Sequence, residues 1–361
     1  MDLFGYIKKY GKYSFKEKKF NEVDNVILSC LTYVNFTKIV SDNLSSKITL
    51  KEAGNIYFSI YEEKIRKRKV PTIKSGILLL KAIKDTKRFK DILVYNYKYS
   101  ADESSQFGAV SFDLDNNTTY IAYEGTDHLL SGWKEDCKIA YIFPVKAQSL
   151  AISYLNEYLF TCKKLIIGGH SKGGHLAIIA SMYSNYFVRR RIVKIYSNDG
   201  LGIRKEEFES RKYKKIESKI SKMIPSYSII GHLLNSSSYR IIKTNRKSIK
   251  SHNPLFWVVR DNKFEQCDNS KSCIILRRTI YKYLAKYDLD TKINFVDEFF
   301  KICKDNNIDT FQGLMDNKKL LIKEVFESDK IDIEAKTMFN SIYKIVKESL
   351  KEEKEESKKW K

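Results

Sequence analysis

The chain has 361 residues, with 66 Lys and Arg against 44 Asp and Glu, a net charge of +22. Its 43% hydrophobic and 13% aromatic content excludes a disordered chain, and 4 Pro with 15 Gly exclude a collagen-like or linker-rich one. No apolar run is long enough for a membrane span, and the first residues lack the apolar stretch and cleavage site of a secretory leader, so a cytoplasmic location is expected.

In chain order, the first hundred residues read mainly as helix. Val23, Val26, Ile27, Leu31 and Val34 recur at helical spacing within 21–40, and 74–89 reads as a second helix. Residues 93–99 alternate as a strand. Residues 106–114 and 118–125 then form a hairpin about Asp115-Asn116-Asn117. An amphipathic helix is predicted over 145–160, a buried strand over 163–169, a helix over 175–187 and a buried strand over 191–199. A polar helix over 205–223 and strands over 238–244 and 254–260 complete the alternation. From about 275 only helices are predicted, over 277–287, 292–305 and 334–350, before a charged end over 351–361. Strands alternating with helices, buried on both faces, indicate an α/β fold with a mostly parallel sheet. The expected organisation is a helical segment over 1–90 packed on the core, an α/β core over 91–275 and a helical extension over 276–361.

The positive charge is mostly Lys and is scattered, which reads as a solvated surface; an anionic partner is the alternative. No nucleic-acid motif accompanies it. Cys30, Cys137, Cys162, Cys267, Cys273 and Cys303 show no CxxC spacing, so neither zinc nor a disulfide framework is expected.

The strongest local feature is Gly169-His170-Ser171-Lys172-Gly173, a GxSxG nucleophile elbow between a predicted strand and a predicted helix. The turn strains the serine, so its neighbours two positions away must lack bulk, and Gly169 and Gly173 supply that. The bland alternative is a glycine-rich turn with a bystander serine. A phosphate loop would need GxxxxGK[ST], which is missing.

A nucleophilic serine needs a base and an orienting acid, which follow it in chain order in α/β-hydrolases. The five histidines are His128, His170, His175, His232 and His252. Only the last two lie far enough beyond Ser171. His252, in a polar loop, is preferred as base; His232, flanked by apolar residues, is the alternative. Asp199 is the one Asp between Ser171 and His252, at the end of a predicted strand; its alternative is an Asp-Gly turn residue. The oxyanion would take the Lys172 N–H and a second donor from Gly125-Thr126-Asp127, with Thr126 the candidate.

The ordered set Glu124-Gly125-Thr126-Asp127, Trp133, Asp136, then 168–177, then Ser197-Asn198-Asp199-Gly200, then His252 resembles fungal-type (class 3) lipases. It is more similar still to their bacterial lipase-like relatives, over roughly residues 1–265. The resemblance implies an α/β-hydrolase fold, Thr126 as the oxyanion residue, Ser171 as nucleophile and His252 as base. It also implies that Trp133 and Asp136 brace the oxyanion loop. Two departures stand out. Tyr123-Glu124 replaces the usual Phe-Arg, and the segment expected to carry the acid, 224–231, has none, so Asp199 would serve instead.

The expected function is hydrolysis of carboxylic esters, of acyl lipids by the resemblance, with no metal or organic cofactor. Acyl transfer by the same serine is one alternative. A catalytically inactive binding module at anionic membranes is another. Peripheral contact with an anionic membrane is a partner expectation; substrate identity and oligomeric state are left open.

Overall fold

The computed structural model describes all residues except 66–70, 103–104, 128–129, 335, 338–339 and 341–361. His128, most of the helix expected over 334–350 and the charged end lie outside the described residues. Eight strands form one sheet in chain order: β1 (Ile48–Thr49), β2 (Leu93–Ala101), β3 (Gln106–Asp113), β4 (Thr118–Tyr123), β5 (Lys164–His170), β6 (Ile192–Asn198), β7 (Ile220–Pro225) and β8 (Arg240–Ile242). β1 to β4 pair antiparallel, and β4 to β8 pair parallel. A two-stranded ribbon, β9 (Val259–Arg260) and β10 (Lys263–Phe264), follows. This is an α/β-hydrolase fold with a mostly parallel sheet, as expected.

The helices are α1 (Leu3–Tyr10), α2 (Glu22–Cys30), α3 (Leu50–Ile65), α4 (Pro71–Ile83), α5 (Leu130–Lys138), α6 (Lys146–Asn156), α7 (Lys172–Tyr183) and α8 (Tyr186–Arg191). Two single turns, α9 (Lys205–Phe208) and α10 (Arg211–Lys214), precede β7. Among the described residues four C-terminal helices follow the ribbon: α11 (Lys271–Lys286), α12 (Leu289–Asp305), α13 (Phe311–Asp316) and α14 (Lys318–Glu327).

Strand order explains the layering. Right-handed crossovers that march one way across a sheet put their helices on one face. Side chains of α6, α7 and α8 share a core there with Ile121 and Tyr123 of β4 and Leu165 and Ile167 of β5. The alternate residues Tyr120 and Ala122 point to the other face. That face has no crossover helices, and α1, α2 and α4 cover it.

The burial of α2 shows how completely they do so. Every residue from Val23 to Cys30 is buried, polar ones included. Asp24 accepts from Arg88 Nε (2.7 Å) and Nη2 (2.5 Å) and from Tyr6 Oη (2.9 Å), with both ion-pair side chains at 0% exposure. Arg88 also donates to the carbonyls of Lys18 (2.9 Å) and Lys19 (3.2 Å), tying the α1–α2 connection down. Asn25 Nδ2 donates to Asn198 Oδ1 (2.8 Å), and Asn198 Nδ2 donates to Ser29 Oγ (3.1 Å), so α2 is bonded to the end of β6.

Two expectations fail locally. The polar helix over 205–223 is two helical turns and then β7, whose Lys222 is buried on the strand and disguised it as a solvated helix. The strand over 254–260 begins as a 3-10 turn, Pro254–Phe256, with Asn253 Oδ1 accepting from Leu255 N (3.0 Å). Local capping by Asn-Pro outweighs the β propensity of the apolar run.

A third core joins the C-terminal helices to α5. Leu130 and Trp133 on α5 pack with Phe295, Phe299, Phe300 and Ile302 of α12 and with Leu321 and Val325 of α14. Asp297 of α12 pairs with Lys134 (2.8 Å) and Lys138 (3.3 Å) of α5. Among the described residues no helix is long and apolar enough to cross a membrane, and all six cysteines are free thiols.

Candidate active site

The candidate residues converge at the carboxyl ends of the parallel strands. Gly125-Thr126-Asp127 follows β4, Ser171 follows β5 and Asp199 follows β6, while His252 ends a 3-10 turn (Ser248–His252) beyond β8. Crevices at these strand ends are where open α/β sheets assemble sites.

Ser171 has φ 59° and ψ −129°, a conformation that costs a non-glycine residue about 1–3 kcal/mol. Its N–H bonds Asn198 O at 3.0 Å, and its carbonyl accepts from Gly174 N at 2.9 Å. The flanking glycines are required by contact. A Cβ at Gly169 would lie 2.3 Å from the Gly173 carbonyl carbon, and one at Gly173 would lie 2.1 Å from Tyr123 O. α7 begins at Lys172, so the free N–H groups of its first turn face the serine.

Asp199, fully buried, accepts from His252 Nδ1 on Oδ2 at 2.6 Å and from the Gly231 N–H on Oδ1 at 3.0 Å. His232 is placed elsewhere: its Nε2 meets Asn269 Nδ2 at 2.8 Å and its ring abuts Tyr239. Lys222, also buried, donates to Ser236 Oγ at 2.7 Å. Burial pulls its ammonium down to about 7 against the opposing pull of Asp199. Among the described residues Ser171 Oγ forms no hydrogen bond.

The Gly125-Thr126-Asp127 loop lies directly over the elbow. A Cβ on Gly125 would come 3.1 Å from Ser171 Cβ. Asp127 N donates to Gln106 Oε1 (3.1 Å), and Trp133 Nε1 donates to Asp127 O (3.3 Å). Thr126 Oγ1 donates to Asp136, which fixes the hydroxyl and leaves the Thr126 backbone N–H. Among the described residues neither that N–H nor the Lys172 N–H is bonded to an acceptor.

Glu135 and Tyr33 were not singled out in the sequence, nor were the side-chain contacts of Lys172 and His170. Lys172 Nζ is buried against Glu135 (3.0 Å) and Asp136 (3.7 Å), so one face of α5 is clamped to the elbow while the other holds α12. Burial, partly offset by Lys172, pushes the Asp136 carboxyl up to about 6. Glu124, where the resemblance expects Arg, is buried, and desolvation, with Asp127 beside it, raises its carboxyl well above the usual carboxylate range. His170 Nε2 lies 2.8 Å from His252 O, and its Nδ1 lies 3.0 Å from Tyr33 Oη. A carbonyl only accepts, so His170 carries its proton on Nε2 and takes the Tyr33 hydroxyl on Nδ1. Its ring centroid lies 4.4 Å from that of His252, the two planes tilted by 36°. Tyr33 thus brings the N-terminal segment to the site.

A family model described as Mbeg1-like matches residues 83–301, more than half of the chain. The chain belongs to the Mbeg1-like family. This is a lipase-like family related to the class 3 lipases. The span shared with the Mbeg1-like family runs from the end of α4 into α12 and contains Thr126, Ser171, Asp199 and His252. Among solved structures, a crystal structure of M37 lipase is similar at 12% identity and a TM-score of 0.32, covering 57% of this chain and 68% of that one. Comparison with curated proteins returns no match.

His175 provides a pH-dependent test of elbow packing. Its Nδ1 lies 2.7 Å from Gly202 O, and its Nε2 lies 2.8 Å from Gln148. Burial pulls its imidazole down to about 4 from 6.5. The unfolded chain takes up this proton near pH 6.5 and the folded chain only near 4. The contribution is therefore full above pH 6.5 and is lost as pH falls to about 4, a loss of ~3 kcal/mol. Urea unfolding across that range should show this slope in the wild type and a flatter one in His175→Gln. Equal slopes would contradict the assignment.

Proposed function

We propose that the chain is a serine ester hydrolase acting on acyl esters, with Ser171 as nucleophile, His252 as base and Asp199 as orienting acid. The observation that carries this reading is the 2.6 Å contact of His252 Nδ1 with a buried Asp199, beside a serine strained at a strand–helix turn. Ser171 Oγ attacks the ester carbonyl while His252 Nε2 takes its proton; the two close to hydrogen-bond distance as substrate binds. The Lys172 and Thr126 N–H groups receive the developing oxyanion. His252 then returns the proton to the leaving alcohol. A water molecule, deprotonated by the same nitrogen, releases the acid from Ser171.

An acyl substrate is supported by a cavity of about 220 Å³ lined by Leu130, Trp133, Phe295, Phe299, Phe300 and Leu314. Its wall residue Trp133 is bonded to the oxyanion loop, so apolar volume and candidate chemistry are neighbours. Transfer to an alcohol other than water would use the same steps, and added acceptor alcohols would divert the acyl product. A fluorophosphonate tests the reading: its adduct is expected on Ser171.

A further inference from the structure

The proposed site uses the carboxyl ends of the strands. At the opposite end, the loop before β5 and helix α8 before β6 form a surface with no part in it. Phe160 is 92% exposed, Phe187 64% and Tyr186 55%. An open groove of about 760 Å³ runs between Phe160 and Phe187, walled also by Leu159, Arg190 and Arg191. Isolated apolar side chains on a surface need no explanation, but contiguous aromatics do.

These side chains sit on a fixed backbone. The Arg191 guanidinium donates to Tyr158 O and to Thr161 Oγ1 (2.6 Å), joining the two segments. Asn185 caps α8 by accepting from Phe187 N at 2.9 Å. The charge around the aromatics is positive. Arg190 and Lys164 are exposed. Two acids near this end are already engaged, Asp113 by Lys47 and Lys163 and Glu157 by Lys98.

We propose that this end of the sheet is a docking surface for an anionic lipid bilayer. Phe160, Tyr186 and Phe187 enter the headgroup region, where amphipathic and aromatic side chains partition. Arg190 and Lys164 face the lipid phosphates, and a net charge of +22 adds long-range attraction. The same charge disfavours a second copy of the chain as the occupant, because two positive patches would have to meet. β5 separates this surface from Ser171 by about 20 Å, at ~3.3 Å per residue. Docking therefore leaves the elbow facing away from the bilayer. The proposal holds whether or not Ser171 is the nucleophile.

The test is co-sedimentation of the full chain with vesicles of phosphatidylcholine, with and without phosphatidylglycerol. The wild type is expected to bind only the anionic vesicles and to be released by high salt. The pair Phe160→Ser with Phe187→Ser, and separately Arg190→Glu, are each expected to weaken that binding by about tenfold or more. Unchanged melting temperature and fluorophosphonate reactivity would show that fold and elbow are intact. Wild-type protein that ignores anionic vesicles, or variants that bind as the wild type does, would overturn the proposal. So would self-association abolished by the same variants without vesicle binding, which would assign the surface to a second copy.

Discussion

Asp199→Asn is expected to lower kcat on a soluble short-chain ester by about 10⁴-fold while leaving the fold intact. The size of the effect follows from how the carboxylate is held. Oδ1 receives the Gly231 N–H and Oδ2 receives His252 Nδ1. In the asparagine variant the oxygen must stay on the Gly231 side, since an amide NH₂ there would meet another donor. The NH₂ then faces Nδ1 and forces the imidazole proton onto Nε2. That tautomer cannot take a proton from Ser171. Asparagine also tolerates the backbone at this position, where φ is 51°. Steady-state kinetics and a thermal melt together check the prediction. Turnover within tenfold of wild type would remove Asp199 from the proposed triad.

Arg88→Met is expected to cost about 3–5 kcal/mol of stability, because it strands the Asp24 carboxylate in a place water does not reach. The pair is fully buried, and the guanidinium also holds three carbonyls of the α1–α2 connection. The double change Asp24→Asn with Arg88→Met should recover part of the loss, since it removes the stranded charge. Urea unfolding measures both. A loss under 1 kcal/mol for Arg88→Met would mean that α1 and α2 are peripheral to the fold. A large one makes them the second face of the sheet.

How much of this was legible in the sequence depended on whether the signal was local. The elbow was, because an apolar strand, two contact-limited glycines and a helix start occupy adjacent positions from Leu165 to Ala177. Asp199 and His252 were candidates by elimination, since two histidines lie well beyond Ser171 and one Asp lies between Ser171 and His252. What escaped was whatever depends on distant burial. Glu135 drew no notice in the sequence and Lys172 only for its backbone N–H, and the fold sets their side chains 3.0 Å apart. β7 was hidden by the buried Lys222, and no local pattern marks Asp24 and Asn25 of α2 as buried. His170 was set aside as a base because it adjoins Ser171. Its bond to His252 O involves Tyr33, 137 positions away from it, a relation no local pattern carries.

The clamp on α5 gives the C-terminal helices a role beyond added mass. Glu135 and Asp136 hold the elbow lysine and the Thr126 hydroxyl, while Leu130, Trp133 and two lysines hold α12. Docking of α12 is thereby mechanically linked to the loop that carries the Thr126 N–H.

The central claim is that Ser171 is an activated nucleophile, and its reaction with a fluorophosphonate reads this most directly. Intact-mass and peptide analysis after treatment should place one adduct on Ser171 in the wild type and none in Ser171→Ala. Absence of an adduct on wild-type Ser171, or equal labelling of both proteins, would contradict it.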